Sequence, residues 1–196
     1  MSSEARERVL GATVTCAGHV GLSKVTVEDV AREARLSRAT VYRYFPGGRE
    51  QLVDEAITWE VGQFFARLAA AVEDETDFES RLVRALLFGH RAIAEHDVLQ
   101  RELESEPGSV LPQLQETTPL LLGVTRDFLR ERLGGERLRP GVDPDEAADY
   151  LARMVLSYIS TGGGWDLDDP DEVRRLVRTQ FLAGVLVDPE PRMLEG

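Results

Sequence analysis

Two observations predict an all-α fold for this chain of 196 residues. Apolar residues recur at helical spacing along most of its length, as at Val27, Val30, Ala31 and Ala34, and no useful stretch alternates apolar and polar residues as a strand does. The helical segments are separated by clusters of glycine and proline, as at residues 134–144 and 162–170. We expect two cores: an N-terminal unit at residues 1–50 and a larger helical body at residues 51–196.

The segment 25–45 predicts two short helices joined by a tight turn. Thr26 can cap the first helix, and Glu28 and Asp29 fall in its first turn, where the positive end of the helix dipole favours carboxylates. Ser37 can cap the second helix, only a few residues after the first one ends. This layout indicates a helix-turn-helix.

The second helix carries an unusual outer surface. Val41 and Phe45 are four residues apart and can pack inward. The alternative is an ordinary polar helix surface, which would suit any single arginine or tyrosine. The residues left near or on the outside are Arg38, Ala39, Thr40, Tyr42, Arg43 and Tyr44.

The charge distribution separates these alternatives. Residues 1–50 hold eight Lys or Arg and six Asp or Glu, a net charge of +2, while the whole chain carries −12, leaving −14 for the other 146 residues. Between Arg32 and Arg49 there are five arginines and one acid, Glu33. A basic patch on an acidic chain is expected of a protein that meets DNA through one surface, because phosphate contact needs only local positive charge.

Residues 5–57 resemble the N-terminal domain of TetR-family transcriptional regulators. The resemblance is carried by a first helix of about fifteen residues, by Gly21-Leu22 and Val25-Thr-Val-Glu-Asp-Val-Ala, and by Ser37-Arg-Ala-Thr-Val-Tyr-Arg-Tyr-Phe45. It implies that Thr26 and the helix Ser37–Tyr44 meet double-stranded DNA, with Tyr42 and Tyr44 on the phosphate backbone. The base edges would then be read by Arg38, Ala39, Thr40 and Arg43.

The sequence departs from the usual family pattern directly after Phe45. Pro46-Gly-Gly-Arg49 carries one residue more than usual before the basic position. The resemblance implies that Arg49 replaces a lysine that grips a phosphate. The alternative is that Gly47-Gly48 only form a turn and Arg49 is solvated.

The body should contain several more helices. The pattern predicts a helix at about 49–73 that links the two domains, and others at 78–94, 145–160 and 171–187. A further helix should open at Pro112, with a kink or a restart at Pro119, and run to Leu133.

The two late helices have broader apolar faces than a small body needs. In the TetR family such a pair joins its copy in a four-helix interface, and a two-fold dimer would let two short recognition helices read a palindrome. The alternative is that both helices pack only within the monomer. The residues predicted at the homodimer interface are Leu151, Met154, Val155, Val173, Leu176, Val177, Phe181 and Leu182.

Aromatic side chains in the central helices suggest a pocket for a small, apolar effector, with a few polar groups for orientation. A bound effector would favour one arrangement of the body and so bias the spacing of the recognition helices through the 49–73 helix. Aromatics at helical spacing also suit an ordinary core. The candidate pocket residues are Phe64, Phe65, Phe88, His90, Phe128 and Tyr158.

Other classes of protein fit poorly. No apolar run has the length of a membrane helix and no signal-peptide core is visible, so we expect a cytoplasmic protein without a membrane partner. Cys16 is the single cysteine and should be a buried thiol. No zinc or di-iron motif and no phosphate-binding loop is found, so we expect neither an enzyme nor a cofactor nor a metal.

Together these features predict a DNA-binding unit of three helices followed by a helical domain for ligand binding and dimerisation. The resemblance favours a homodimeric repressor that leaves a palindromic operator when a small molecule binds. The alternative is a helical protein-interaction module with a degenerate helix-turn-helix, and sequence-selective, salt-sensitive DNA binding separates the two.

Overall fold

The computed structural model describes residues 3–99 and 107–187, with side chains throughout except at 107–116 and 160–162. Helices dominate this part of the chain. Its extended pairing is limited to an isolated antiparallel bridge between Leu138 and Leu186. The predicted all-α class is confirmed.

The helix bounds follow the sequence pattern closely. Short 3-10 turns lie at Leu22–Lys24 and Gly162–Gly164, and residues 97–99 are also helical. The last helix continues as a π-helical turn, Val177–Leu182. The described helices are α1 (Ser3–Val20), α2 (Val27–Glu33), α3 (Arg38–Tyr44), α4 (Gly48–Ala71), α5 (Phe78–Ala94), α6 (Pro107–Leu133), α7 (Pro144–Thr161) and α8 (Pro170–Leu176).

Two predicted helix ends are wrong. Helix α6 begins at Pro107 and not at Pro112, and it continues through Pro119. The final helical stretch ends at Leu182 and not at Val187, because the following residues bond to another segment. Arg139 donates its N–H to the carbonyl of Val185 at 2.9 Å, and Val187 donates to the carbonyl of Arg137 at 3.0 Å.

The chain divides into two compact units, the first formed by residues 1–69 and 93–116 and the second by residues 70–92 and 117–196. The boundary predicted at residue 50 divides a DNA-binding domain from a regulatory domain. It is defined by function and not by packing, so it stays a prediction. In the first unit, α1, α2, α3 and the start of α4 enclose one apolar core, in which Cys16 is buried as predicted. Its fully buried side chains include Val9, Leu10, Val30, Val41, Phe45 and Leu52.

The second unit has its own core, built from α5, the end of α6, α7, α8 and the π-helical turn. Aromatic anchors at Phe78 and Phe181 are almost completely buried. Leu86, Leu151 and Leu176 fill the space around them without any exposed surface. This packing uses the apolar faces of α7 and α8 inside the protomer.

The turn between α2 and α3 contains a residue in a backbone conformation that glycine usually adopts. Arg35 has a φ of 55°, which lies in the left-handed region. The N–H of Leu36 then reaches back to the carbonyl of Ala31 at 2.9 Å and ends α2. A left-handed conformation costs a side-chain-bearing residue about 1 kcal/mol, so this turn stores some strain.

Candidate DNA-binding surface

Helix α3 is fixed to the first unit by its inner face and by its N-terminal cap. Val41 and Phe45 are buried, as their spacing predicts. The Oγ of Ser37 accepts the N–H of Thr40 at 3.1 Å, which satisfies one of the free amides at the helix start. A short helix held in this way presents its remaining side chains in a defined direction.

The outer face of α3 is exposed and basic. Arg38, Ala39 and Arg43 are exposed, while Thr40 is half-buried. Tyr42 keeps 47% of its surface. The structure thus brings together, on one short helix, the residues predicted to read base edges with a tyrosine predicted to touch phosphate.

Gly48 lies next to the ring of Tyr42, and Arg43 lies near the ring of Tyr44. A Cβ placed on Gly48 would lie 3.5 Å from the ring of Tyr42, and Gly48 has a positive φ of 67°. The guanidinium of Arg43 lies 5.3 Å from the ring centroid of Tyr44, a cation–π distance. No carboxylate partner of Arg43 is found among residues 3–99 and 107–187, so its charge is not neutralised there.

Two acids of α2 pair with arginines on this surface. Arg38 Nη1 donates to Glu28 Oε1 at 2.5 Å, and Arg32 forms an ion pair with Asp29. The hydrogen bond holds the pKa of Glu28 below its ordinary value and raises the pKa of Arg38. The sequence indicates only that Glu28 and Asp29 suit the positive end of the helix dipole, and it does not indicate these pairs.

The hydroxyl of Thr26 is occupied by the cap of α2. It accepts the N–H of Asp29 at 3.2 Å and donates to Asp29 Oδ2 at 2.5 Å. Ser37 likewise shares a hydrogen bond with the Thr40 hydroxyl at 2.9 Å. Both residues are exposed N-caps, and phosphate contact would be added to this capping role.

Arg49 makes hydrogen bonds within the protein that neither alternative includes. Its Nε donates to the carbonyl of Val25 at 3.0 Å, and its Nη2 donates to the carbonyl of Leu22 at 2.7 Å. The reading of Arg49 as simply solvated is therefore wrong, because its guanidinium ties the start of α4 to the turn before α2. Contact with phosphate stays a prediction for its remaining N–H groups.

The family described as "Bacterial regulatory proteins, tetR family" matches residues 9–56, which include α2, α3 and the turn between them. The match covers 48 of the 196 residues, so it shows a TetR-type N-terminal domain in this part of the chain. No curated protein matches the sequence.

Several solved structures share this fold over nearly the whole chain. The repressor AlkX from Dietzia sp. strain DQ12-45-1b is 23% identical, with a TM-score of 0.63 over 91% of this chain and 98% of its own. FadR from Bacillus subtilis, in complex with stearoyl-CoA, is 18% identical, with a TM-score of 0.55 over 88% and 97%. A structure that concerns control of antibiotic production by bacterial hormones is 24% identical, with a TM-score of 0.60 over 95% and 100%. At these identities the likeness shows the fold.

The residues predicted at the effector pocket fall in both units. Phe64 and Phe65, in the first unit, pack edge to face with centroids 5.3 Å apart. The other four, Phe88, His90, Phe128 and Tyr158, are half-buried in the second unit. Tyr158 packs on Phe181 there, with centroids 5.4 Å apart. Their role in ligand binding stays a prediction.

A charged cleft is found in the second unit. It measures about 820 Å³ and none of the six predicted pocket residues lines it. Its acids and arginines are largely paired with each other, as Arg153 is with Asp149 at 2.8 Å. The lining residues are Arg126, Asp127, Arg130, Asp145, Glu146, Asp149, Tyr150 and Arg153.

Most residues predicted at the dimer interface are core residues of the protomer. Leu151, Val173, Leu176, Val177 and Phe181 have no exposed surface, and Leu182 keeps 6%. Side chains that are already covered within one protomer have no surface to offer a partner, so assigning these six to direct contact with a second subunit is wrong. Of the eight residues, Met154 and Val155 are half-buried and retain some surface.

In the part of the chain that the structure describes, none of the helices combines the length and the apolar character that a membrane span requires.

Proposed function

We propose that this protein is a transcriptional regulator of the TetR family, a homodimeric repressor that binds a palindromic operator and is released by a small, apolar effector. The observation that carries the DNA-binding half of the proposal is the exposed face of α3. It combines two arginines with an exposed tyrosine on a helix that is capped and anchored. Such a helix can enter the major groove and place its side chains on base edges.

The side chains on and around α3 divide by their chemistry. Arg38 and Arg43 can each bind a guanine through two hydrogen bonds, and Thr40 and Ala39 can contact a thymine methyl group. Tyr42, Tyr44, Thr26 and Ser37 are suited to phosphate oxygens, which fix the register of the helix on the duplex.

A dimer follows from the size of the recognition helix. Helix α3 has seven residues, so one copy reads only a few base pairs, and a two-fold axis would double the site. Since the apolar faces of α7 and α8 are used in the core, the interface we propose lies on their outer faces. Tyr150, which is 40% exposed, and half-buried Met154 and Val155 provide apolar surface on α7.

An apolar effector is supported by what similar structures are named for. AlkX is implicated in the biodegradation of n-alkanes, and the Bacillus subtilis FadR structure contains stearoyl-CoA. The half-buried Phe88, Phe128 and Tyr158 offer aromatic surface in the second unit of this chain. We propose that a ligand with a long hydrocarbon portion binds there and shifts the protein towards a form with lower affinity for DNA.

The decisive experiment is selection of bound sequences from a random duplex library by the purified protein, across a salt series. Tyr42→Ala should weaken binding to all sequences, because it removes a phosphate contact, and Arg43→Ala should relax the preference at one base pair per half-site. Tyr42→Phe and Arg43→Lys are the matched controls, since they remove only the hydroxyl and only the guanidinium fork.

Recovery of one palindrome supports both DNA recognition and the dimer, and the selected duplex then serves as the probe for effector screening. Enrichment of a single half-site without symmetry would support DNA binding and reject the dimer. If no sequence is enriched and binding is negligible at low salt, the regulator is rejected and the interaction module remains.

A further inference from the structure

Glu28 lies outside the set of residues expected to touch DNA, yet it contacts the first residue of the recognition helix. Its Oε1 accepts a hydrogen bond from Arg38 Nη1 at 2.5 Å. The side chains of Arg38 and Glu28 are 65% and 54% exposed, so the pair stands on the surface of the protein and not in its core. Ten residues and a turn separate them in sequence.

The contact occupies only part of the arginine. The guanidinium carries five N–H groups in a planar fork, and Glu28 accepts from one nitrogen. Glu28 is the single hydrogen-bond and ion-pair partner of Arg38 in the described ranges 3–99 and 107–187. The donors on Nη2 and Nε therefore remain available to an acceptor pair such as O6 and N7 of guanine.

We propose that Glu28 is a positioning residue for Arg38 and through it a determinant of operator specificity. Glu28 holds the guanidinium by one nitrogen, which limits the orientations of a long and flexible side chain and leaves one edge for a guanine. This inference rests on the proposed DNA-binding function and adds to it a residue that need not touch a base.

The carboxylate should also act on non-specific binding, in the opposite direction. A negative charge beside Arg38 reduces the attraction of this surface for phosphate on any sequence. Glu28 would thus lower affinity for random DNA while it raises the preference for guanine at one position. A carboxylate that only stabilises α2 through the helix dipole would still lower affinity for random DNA by its charge, but it would not change the base preference.

The experiment compares Glu28→Ala and Glu28→Gln in the full-length protein. Affinity is measured for the selected operator, for the same duplex changed at the base pair that Arg38→Ala relaxes, and for random duplex. Glu28→Ala should reduce discrimination at that base pair about two- to fivefold, the range of an exposed ion pair, and should strengthen binding to random duplex. Glu28→Gln keeps an acceptor oxygen and should retain more of the discrimination.

Two further variants isolate the pair. Combined with Arg38→Ala, the Glu28→Ala change should have no additional effect on base preference, because the group that it positions is gone. Glu33→Gln removes the same charge from the same helix at an exposed position, so it should strengthen random binding slightly and leave base preference unchanged.

The outcomes separate this inference from the proposed function. If the wild-type protein selects a palindrome but Glu28→Ala changes its affinity equally for every sequence, Glu28 acts only as a charge and the positioning role is rejected. The positioning role is also rejected if Glu28→Ala lowers base discrimination by the same factor in the wild-type protein and in the Arg38→Ala variant. If Glu28→Ala lowers the melting temperature, the test uses Glu28→Gln in its place. The positioning role is then supported if Glu28→Gln changes base discrimination and rejected if it changes affinity equally for every sequence. Failure of the wild-type protein to select any sequence is a failure of the proposed function itself.

Discussion

Helix α3 and the pair formed by α7 and α8 were both predicted to supply surface residues, and the structure separates them. On α3 the predicted outward residues Arg38 and Tyr42 are exposed. On α7 and α8 the predicted interface residues Leu151 and Phe181 are completely buried. Polar and aromatic residues on a capped helix therefore identify a surface, whereas an apolar stripe shows only that another part of the molecule covers that face.

The largest effect that tests this contrast is expected from Phe181→Ala. We expect it to lower the free energy of unfolding by about 3–5 kcal/mol, because it leaves a cavity in the core of the second unit. Urea unfolding at two protein concentrations measures this loss and separates it from subunit dissociation. Thr179→Ala, at an exposed position on the same turn, is the control and should change stability by about 0.5 kcal/mol or less. If the Phe181→Ala variant has normal stability but dimerises more weakly, Phe181 contacts the second subunit after all.

Arg49→Ala tests whether the hydrogen bonds of Arg49, which the sequence did not predict, stabilise the first unit. Loss of its hydrogen bonds to the carbonyls of Leu22 and Val25 should lower the free energy of unfolding by about 1–2 kcal/mol. Arg49→Lys keeps the charge but not the fork, so it should also be destabilised. Thermal unfolding measures both variants. Unchanged stability, together with a salt dependence of DNA binding reduced by about one phosphate, would instead assign Arg49 to the duplex.

How much the sequence predicts depends on the range of the interaction. Thr26 and Ser37 were identified as caps because a cap and its amide are separated by three residues, and both caps are confirmed. The Arg38–Glu28 pair joins residues ten apart across a turn, so its formation depends on the angle between two helices. The burial of Phe181 likewise depends on which helices surround it, which periodicity alone does not specify.

Arg35→Gly should raise stability, in contrast to the preceding changes. Glycine adopts the left-handed conformation at this turn without steric cost, so the free energy of unfolding should rise by about 1 kcal/mol. Arg35→Ala is the matched control, because it removes the same charge and keeps the strained conformation. Thermal unfolding of the two variants distinguishes them. Equal melting temperatures would show that the turn between α2 and α3 stores no strain.

The smallest expected effect is a pH dependence in the second unit, at the start of α5. Asp77 accepts the N–H of Ser80 at 2.8 Å, and this backbone hydrogen bond lowers the pKa of the carboxyl. Because the pKa is lower in the folded protein than in the unfolded chain, Asp77 stabilises the fold at pH values above its unfolded pKa of about 3.9. That contribution is lost as the pH falls through the lower pKa of the folded protein.

Asp77→Asn can still accept the hydrogen bond but does not titrate, so its stability relative to wild type should rise as the pH is lowered below about 5. Urea unfolding between about pH 2 and pH 7 measures this difference, and a constant difference across the range would show that the carboxylate charge of Asp77 adds nothing to the cap.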